Sequence, residues 1–272
     1  MQKHNEMNKE LLIRSSSDNI DFALLKDKKL IEFHKDSNNT KFLVGDIYLA
    51  KIRKIMPALN AAFINVGYKK DAFLHYHDLG PKFSTLKSFV KDIHSEKIKN
   101  FSLTNYKFSD DINKDGSISD VINTNEPILI QIVKEPISTK GPRVTSEISF
   151  AGRFLVLVPF SSRISISRKI EDSKEKDRLK RLVKSITPKG FGVIIRTVAK
   201  NKKVAELDRD LQNLYGRWIA MCKKIKKANM PSKVMDEMTF SSKILRDLFD
   251  ENFTSILVND EALHIQIKDY VQ

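Results

Sequence analysis

The sequence predicts an α+β protein in which strands dominate the first half and helices the region after residue 170. Two observations carry this prediction. Residues 44–78 have the pattern of successive short strands, with Pro57 and Gly67 placed at turns. Residues 204–227 instead repeat apolar side chains every three or four positions, which is the period of an amphipathic helix.

Further strands are expected on both sides of a long polar segment. Residues 80–126 are rich in Ser, Asn, Lys and Asp, have weak apolar periodicity and are interpreted as an insertion. The other predicted strands are bounded by turn residues or polar breaks. They lie at residues 10–15, 20–25, 29–34 and 127–135, with two more within residues 140–160 and one within residues 190–199.

Helices are predicted in three places after residue 170. In residues 171–190 acidic side chains occupy the first turn, and Pro188 and Gly190 end the helix. The apolar residues that share one face of this helix are Leu179, Leu182, Val183 and Ile186. The apolar stripe of residues 204–227 indicates core packing, with a coiled-coil partner as the alternative. Residues 241–272 are predicted to form a helix, a strand and a second helix.

Composition favours a soluble protein with a polyanionic partner. The chain has 272 residues, with 48 basic and 34 acidic side chains, a net charge of +14 and a pI near 9.6. Such a charge attracts nucleic acid, although it does not separate RNA from DNA or from an anionic membrane surface. No apolar run is long enough for a membrane span, and the N-terminus lacks the apolar region of a secretory signal. Because Cys222 is the single cysteine, a reducing, cytoplasmic location is expected.

The segment LNAAFINVGYKKDAFLH carries two phenylalanines, Phe63 and Phe73, around a Gly-Tyr-Lys-Lys turn. Alternation along the two strands assigns Ile64 and Leu74 to the core. The phenylalanines are therefore expected on the outer face, and the alternative is that one or both point inward.

The strand pattern of residues 44–78 resembles the small OB-fold barrel of many RNA-binding proteins. The exposed face of that barrel stacks bases on aromatic side chains and lines the groove with basic residues. Phe63 and Phe73 are then stacking platforms. The basic residues expected near the RNA backbone are Lys51, Arg53, Lys69 and Lys70.

Five motifs lie in order along the chain: VGDIYLAKIRKIMPALNAAFINVG, DAFLH, ILIQIVKEPISTKGPRVTSEISFAGRFLVLVP, ISRKIED and GVIIRTVA. Together they resemble the ribonuclease E/G family of endoribonucleases, and the shorter ribonuclease G type in particular. The resemblance covers nearly the whole chain outside residues 80–126. It implies a single-strand-specific endoribonuclease that acts in ribosomal RNA maturation and messenger RNA decay.

The resemblance also implies a domain organisation in which an OB-fold barrel is inserted into an RNase H-like subdomain. Residues 1–36 and 205–272 are the two parts of that subdomain. Residues 37–135 are the OB-fold RNA-binding domain with its insertion at 80–126, and residues 136–204 are an α/β sensor of the RNA 5′ end.

Binding residues of the family carry over to matching positions. An Arg-Thr pair that binds a 5′-monophosphate corresponds to Arg196 and Thr197, and such a pair suits phosphate because guanidinium and hydroxyl groups both donate to its oxygens. Main-chain groups of the family's A-G-x-x-L-V motif correspond to Gly152 and Val156. Lys140 matches a family lysine near the RNA path, and Arg168 is expected beside the sensor pocket.

Cleavage in the family is attributed to a magnesium ion held by aspartates of a DNase I-like subdomain. No counterpart of those aspartates, or of the family's zinc-binding cysteine motif, is recognised in residues 1–272. The resemblance therefore implies that this chain binds RNA without cutting it, that it contributes no catalytic or metal-binding residue, and that it is a fragment. A naturally short, non-catalytic relative is the alternative. Assembly into a homo-oligomer stays open, because the family assembles through regions mostly without counterpart here.

Other interpretations and weaker motifs were weighed against these. A non-catalytic, ribosome-associated RNA-binding module and a DNA-binding OB-fold protein are the alternative functions. Residues 111–122 resemble a calcium-binding loop, but Ile122 stands where a bidentate Glu is needed, so a hydrophilic turn is expected. His75 and His77 share a strand face without a third ligand, so no metal site is predicted there.

Overall fold

The computed structural model describes residues 8–17, 19–37, 42–236 and 253–271. Their contacts form two compact units, one of residues 8–37 and 253–271 and one of residues 42–236. The strands are β1 (Lys9–Ser15), β2 (Asn19–Lys26), β3 (Lys29–Ser37), β4 (Ile47–Met56), β5 (Ala61–Asn65), β6 (Ala72–His75), β7 (Pro127–Lys134), β8 (Arg143–Thr145), β9 (Phe150–Ala151), β10 (Leu155–Pro159), β11 (Ile164–Ile166), β12 (Phe191–Ile195), β13 (Ser232–Met235) and β14 (Phe253–Val258). The helices are α1 (Phe83–His94), α2 (Ile118–Val121), α3 (Ser173–Ile186), α4 (Val204–Lys227) and α5 (Glu261–Val271).

The first unit is a four-stranded sheet in the order β14-β1-β2-β3. β14 pairs with β1 in parallel, whereas β1, β2 and β3 form an antiparallel meander. Alternation along β1 buries Leu11 and Ile13 against Leu263 and Ile267 of α5. The three N-terminal strands, β14 and α5 confirm the predicted elements. The first helix predicted within residues 241–272 falls outside the described residues.

A closed five-stranded barrel forms the first half of the second unit, as the sequence predicts. Its strands follow the order β4-β5-β6-β8-β7, and pairing of β4 with β7 closes it in an OB-like manner. Ile52, Ile64 and Leu74 point into the barrel and are almost fully buried. Gly67, after β5, has a φ of +77°, which a residue without a Cβ adopts at little cost.

The second half of the unit is a smaller sheet in the order β11-β12-β10-β9, packed against α3 and α4. The predicted apolar stripe of α4 faces the core, where Leu207, Leu211 and Trp218 are fully buried. This confirms the core interpretation of the stripe. Two assignments stay predictions: residues 1–36 and 205–272 as an RNase H-like subdomain, and residues 136–204 as a 5′-end sensor.

The segment 80–126 differs from the sequence expectation because it contributes a helix to the core. The ring of Phe89, in α1, stacks on Trp218 with centroids 5.3 Å apart. The indole Nε1–H of Trp218 donates to the Phe101 carbonyl at 2.8 Å. The apolar positions of α1 follow a helical period, but they span only 12 residues. Because the surrounding segment is polar, this short helix was not predicted from the sequence.

Across the described ranges, the longest helices are either too short or too polar to span a membrane.

Candidate nucleic-acid interface

Phe63 and Phe73 lie side by side on the outer face of the barrel. They are register partners in β5 and β6, and their rings make an edge-to-face contact with centroids 6.0 Å apart. Both side chains are half-buried, whereas their neighbours Ile64 and Leu74 are fully buried. The predicted inward and outward assignment of these four residues is confirmed.

The two phenylalanines line a cavity of about 700 Å³. Its far wall is the connection between β7 and β8, where Ile137 and Lys140 form an isolated bridge. Gly141 lies so close to β6 that a Cβ there would come within 2.0 Å of the Asp71 carbonyl oxygen. Only glycine permits this approach without displacing the backbone, so Gly141 fixes the distance between the connection and the phenylalanines.

The cavity is rich in cations that have no acidic partner. Lys70, Lys134 and Lys140 all line it and are exposed. Within residues 42–236 none of the three forms an ion pair with a described side chain. Arg143, also in the lining, is instead held by Asp78, with Nε and Nη2 each 3.1 Å from a carboxylate oxygen. Asp71 and Glu135 also line the cavity, so its four cations outnumber its two carboxylates. The cavity therefore combines aromatic surface with an excess of positive charge.

The remaining basic residues predicted for this site are not all part of the cavity. Arg53 contacts its edge through an ion pair of 3.2 Å with Asp71, which lines the cavity. Lys51 and Lys69 are exposed but do not line it. Their role in RNA binding, like that of the lining residues, stays a prediction.

Three basic residues beside the phenylalanines were missed in the sequence. A β-bulge between Ile52 and Lys54 shifts the register by one, so that Lys54 rather than Arg53 is the partner of Phe63. Arg143 of β8 is the register partner of Phe73 in β6. Lys134 of β7 is in turn the register partner of Arg143. The bulge and the long-range pairing have no local signal, so alternation alone did not find them.

A second cluster surrounds Arg196, at the end of β12. Its Nη1 donates to the carbonyl oxygen of Gly152 at 2.8 Å, and its backbone N–H donates to the Phe154 carbonyl at 2.9 Å. The structure thus joins two of the predicted phosphate-binding residues. Val156 lies in β10 as the partner of Ala151 and Ile194.

Asp210 of α4 fixes the loop between β9 and β10. Its carboxylate accepts from the backbone N–H groups of Arg153, Phe154 and Leu155 at 3.1, 2.9 and 2.9 Å. A Cβ on Gly152 would lie 2.6 Å from that carboxylate, so glycine is required for the contact. Burial raises the pKa of Asp210, while the three donors and the charge of Arg196 oppose the increase.

Thr197 and Arg168 complete the predicted sensor residues. The hydroxyls of Thr197 and Ser167 are 2.8 Å apart, because β11 and β12 run in parallel and end together. Arg168 follows Ser167, is exposed, and makes no ion pair with a described residue. The Thr197 hydroxyl therefore lies at the same end of the sheet as Arg196, and Arg168 follows β11 at that end.

Glu175 of α3 holds the segment that follows Arg196 and Thr197. Its two carboxylate oxygens accept from Arg178 at 2.6 and 2.7 Å, and one of them also accepts from the backbone N–H of Asn201 at 2.8 Å. Arg178 in turn donates to the Lys202 carbonyl at 3.1 Å. These interactions, led by the hydrogen bond from Arg178, lower the pKa of Glu175 to about 2.

No described residues form a group of three or more His, Cys, Asp or Glu side chains that could hold a metal ion. The rings of His75 and His77 are 5.0 Å apart, but His75 accepts from the backbone N–H of His77. In the loop that resembles a calcium site, Asn113 accepts from the N–H of Asp115 and forms a polar turn. The described residues therefore do not fit the magnesium ion that the family resemblance implies.

Replacing Glu175 by Gln is expected to lower the free energy of unfolding near pH 7 by about 1–3 kcal/mol, because a charged hydrogen-bond acceptor is lost. The stability from a lowered pKa is complete above the ordinary value of 4.5 and is lost as the pH falls toward about 2. The difference between wild type and variant, measured by urea unfolding, should therefore shrink below pH 4.5. Glu171→Gln, at an exposed position before the helix, is the control. A difference independent of pH would contradict this role.

Comparison with known proteins finds a family model and several curated relatives. Residues 149–272 match the model of the Ribonuclease E/G family. Ribonuclease G of Haemophilus influenzae is 29% identical over 261 residues, which are 96% of this chain and 49% of that protein. Ribonuclease G of Escherichia coli is 27% identical over 264 residues, or 97% of this chain and 50% of that protein.

Ribonuclease E, a longer protein, also matches most of this chain. Ribonuclease E of Synechocystis is 31% identical over 226 residues, or 83% of this chain and 30% of that protein. The chain thus spans about half the length of the ribonuclease G relatives that it matches and less of ribonuclease E. The family model and these relatives together match nearly the whole length of the chain, which is consistent with a ribonuclease E/G-like protein.

Proposed function

We propose that this chain binds single-stranded RNA in the cavity beside Phe63 and Phe73. One observation carries the proposal: the exposed lysines around this aromatic pair have no acidic partners among the described residues. Clustered cations without carboxylate partners attract the phosphates of a nucleic acid. The half-buried rings offer the apolar surface on which bases stack irrespective of sequence.

The second part of the proposal concerns the 5′ end of the RNA. Arg196, Thr197 and Arg168 bring two guanidinium groups and a hydroxyl to one end of the second sheet, and Gly152 is in contact with Arg196. Donors of this kind suit a terminal phosphate, with its several acceptor oxygens. The cluster is proposed to favour a 5′-monophosphate over a 5′-hydroxyl.

The activity of the whole protein follows from the family relation alone. The relatives are named ribonucleases, and the proposed activity is endonucleolytic cleavage of single-stranded RNA in the cytoplasm, in ribosomal RNA maturation and messenger RNA decay. Magnesium is the proposed cofactor, with ligands other than the described residues. RNA held in the barrel cavity would be the substrate.

Replacing Phe73 by Ala is expected to weaken binding of a short single-stranded RNA about fivefold to 150-fold, the loss of roughly 1–3 kcal/mol per stacked base. Fluorescence anisotropy with labelled RNA at moderate salt measures the change. Phe33→Ala is the control, since Phe33 is an equally large side chain, 58% exposed, in the first unit. Equal losses in both variants would contradict a specific site, and equal affinity for RNA and DNA of the same sequence would favour a general single-strand-binding protein.

Replacing Arg196 by Ala is expected to remove a preference for 5′-monophosphorylated over 5′-hydroxyl RNA, because the guanidinium would be lost from the phosphate site. Both RNAs are titrated against wild type, Arg196→Ala and Arg181→Ala, whose arginine lies exposed on α3. Thermal unfolding checks that loss of the bond to Gly152 has not disrupted the fold. If wild type binds the two RNAs equally, the sensor part of the proposal fails while RNA binding stands.

Cleavage is tested with the protein encoded by the full coding region, incubated with 5′-monophosphorylated RNA with and without magnesium. Internal cuts that need magnesium and decrease in Phe73→Ala are the expected result, because the variant holds its substrate less tightly. RNA that is bound but never cut under any of these conditions would favour a non-catalytic RNA-binding protein.

A further inference from the structure

A second cavity lies in the same unit, with other lining residues, and the proposed function does not use it. The Ser146 pocket, of about 380 Å³, is bounded by residues 79–82, 146–148 and 158–163 together with Leu86, Phe108 and Asp111. Its volume lies at the lower end of the range of small-molecule sites. Part of its wall comes from the segment 80–126, which the motifs of the family do not cover.

Ser146 gives this pocket an unused hydrogen-bonding group. The residue is 3% exposed and lines the pocket, and its hydroxyl has no hydrogen-bond partner among the described residues. The backbone N–H of Ser146 and the neighbouring Thr145 hydroxyl both donate to the Asp78 carbonyl, so the strand end is held firmly. A buried hydroxyl without a partner is unfavourable unless a ligand or an ordered water satisfies it.

The walls of the pocket are apolar and partly aromatic. Phe108 and Phe160 make an edge-to-face contact with centroids 5.8 Å apart, and Leu86 and Ile148 supply aliphatic surface. A cavity of this kind, whose lining also includes Ser146, Ser161 and Ser162, suits a flat heterocycle that packs on the walls and forms directed hydrogen bonds.

Some charged side chains that line the Ser146 pocket form ion pairs and others do not. Lys82 is paired with Asp111 at 2.6 Å, which neutralises both. Arg163 is exposed, and within residues 42–236 its guanidinium has no acidic partner. Glu147 is also exposed and is the one remaining anion of the lining. Arg163 therefore provides a phosphate-binding group, since its planar donors fit phosphate oxygens.

We propose that the Ser146 pocket binds one nucleotide, with the base between the apolar walls and hydrogen-bonded to Ser146, and the phosphate bonded to Arg163. This inference deepens the proposed RNA-binding function and rests partly on it. Arg143 of the barrel cavity and Ser146 are three residues apart, at most about 11 Å along the chain, so one RNA strand is long enough to reach both sites. A free mononucleotide has the same chemistry and is the other source of the ligand.

Trp218 provides a direct readout. It is the single tryptophan, and its ring contacts Phe160 with centroids 5.8 Å apart. Adenosine and uridine 5′-monophosphate are titrated against the full chain while tryptophan emission is recorded, and a short single-stranded RNA is titrated by anisotropy. Ser146→Ala and Arg163→Ala are each expected to weaken binding of at least one of these probes about twofold to tenfold. Arg181→Ala should leave binding unchanged.

Stability separates a ligand contact from a folding defect. Because the Ser146 hydroxyl has no partner, Ser146→Ala is expected to keep or raise the midpoint of thermal unfolding while binding falls. Loss of affinity for RNA alone identifies an RNA nucleotide as the occupant, and loss for the monophosphates identifies a free nucleotide.

Two outcomes separate this inference from the proposed function. If Phe73→Ala weakens RNA binding while Ser146→Ala and Arg163→Ala change the affinity of no probe, the pocket proposal is overturned and the barrel site stands. If wild type binds no RNA, the proposed function fails, and the mononucleotide titration alone decides whether the pocket is a nucleotide site.

Discussion

The pairing of β4 with β7 closes the barrel, and the geometry of the proposed RNA site depends on it. β4 pairs with β5 along its C-terminal half and with β7 along its N-terminal half, while β8 pairs with both β6 and β7. These pairings together hold the connection after β7 opposite Phe73 and give Lys134 and Lys140 a fixed relation to the aromatic pair. A register fixed by backbone hydrogen bonds thus converts residues distant in sequence into one cationic, aromatic surface.

Local patterns predicted much of the fold and the centre of the candidate site. Strand alternation assigned Phe63 and Phe73 to the outer face, and helical periodicity placed Trp218 in the core, because both signals depend on neighbours in sequence. Lys54 was not predicted at the site because a bulge breaks the strand alternation. Arg143 was not predicted there because its strand partner is distant in the chain. Asp210 carries no motif of its own; its role follows only from the three N–H groups that meet it.

The segment 80–126 illustrates how composition misleads. Its polar loops suggested a peripheral insertion, yet Phe89 stacks on Trp218 and Phe101 accepts the indole hydrogen bond. A few apolar residues at helical spacing are sufficient to anchor a long polar segment, because each buried aromatic side chain removes a large area from water. The same segment forms one wall of the Ser146 pocket, so anchoring and pocket formation have a common origin.

The carboxylate of Asp210 has a consequence for the way an RNA end is met. Three successive backbone N–H groups make a concave anion-binding surface, and here an internal carboxylate already occupies it. The loop beside Gly152 is consequently arranged during folding and needs no incoming phosphate to order it. In the proposed site, a phosphate that reached Arg196 would therefore not have to order this loop, and that cost would not reduce its affinity.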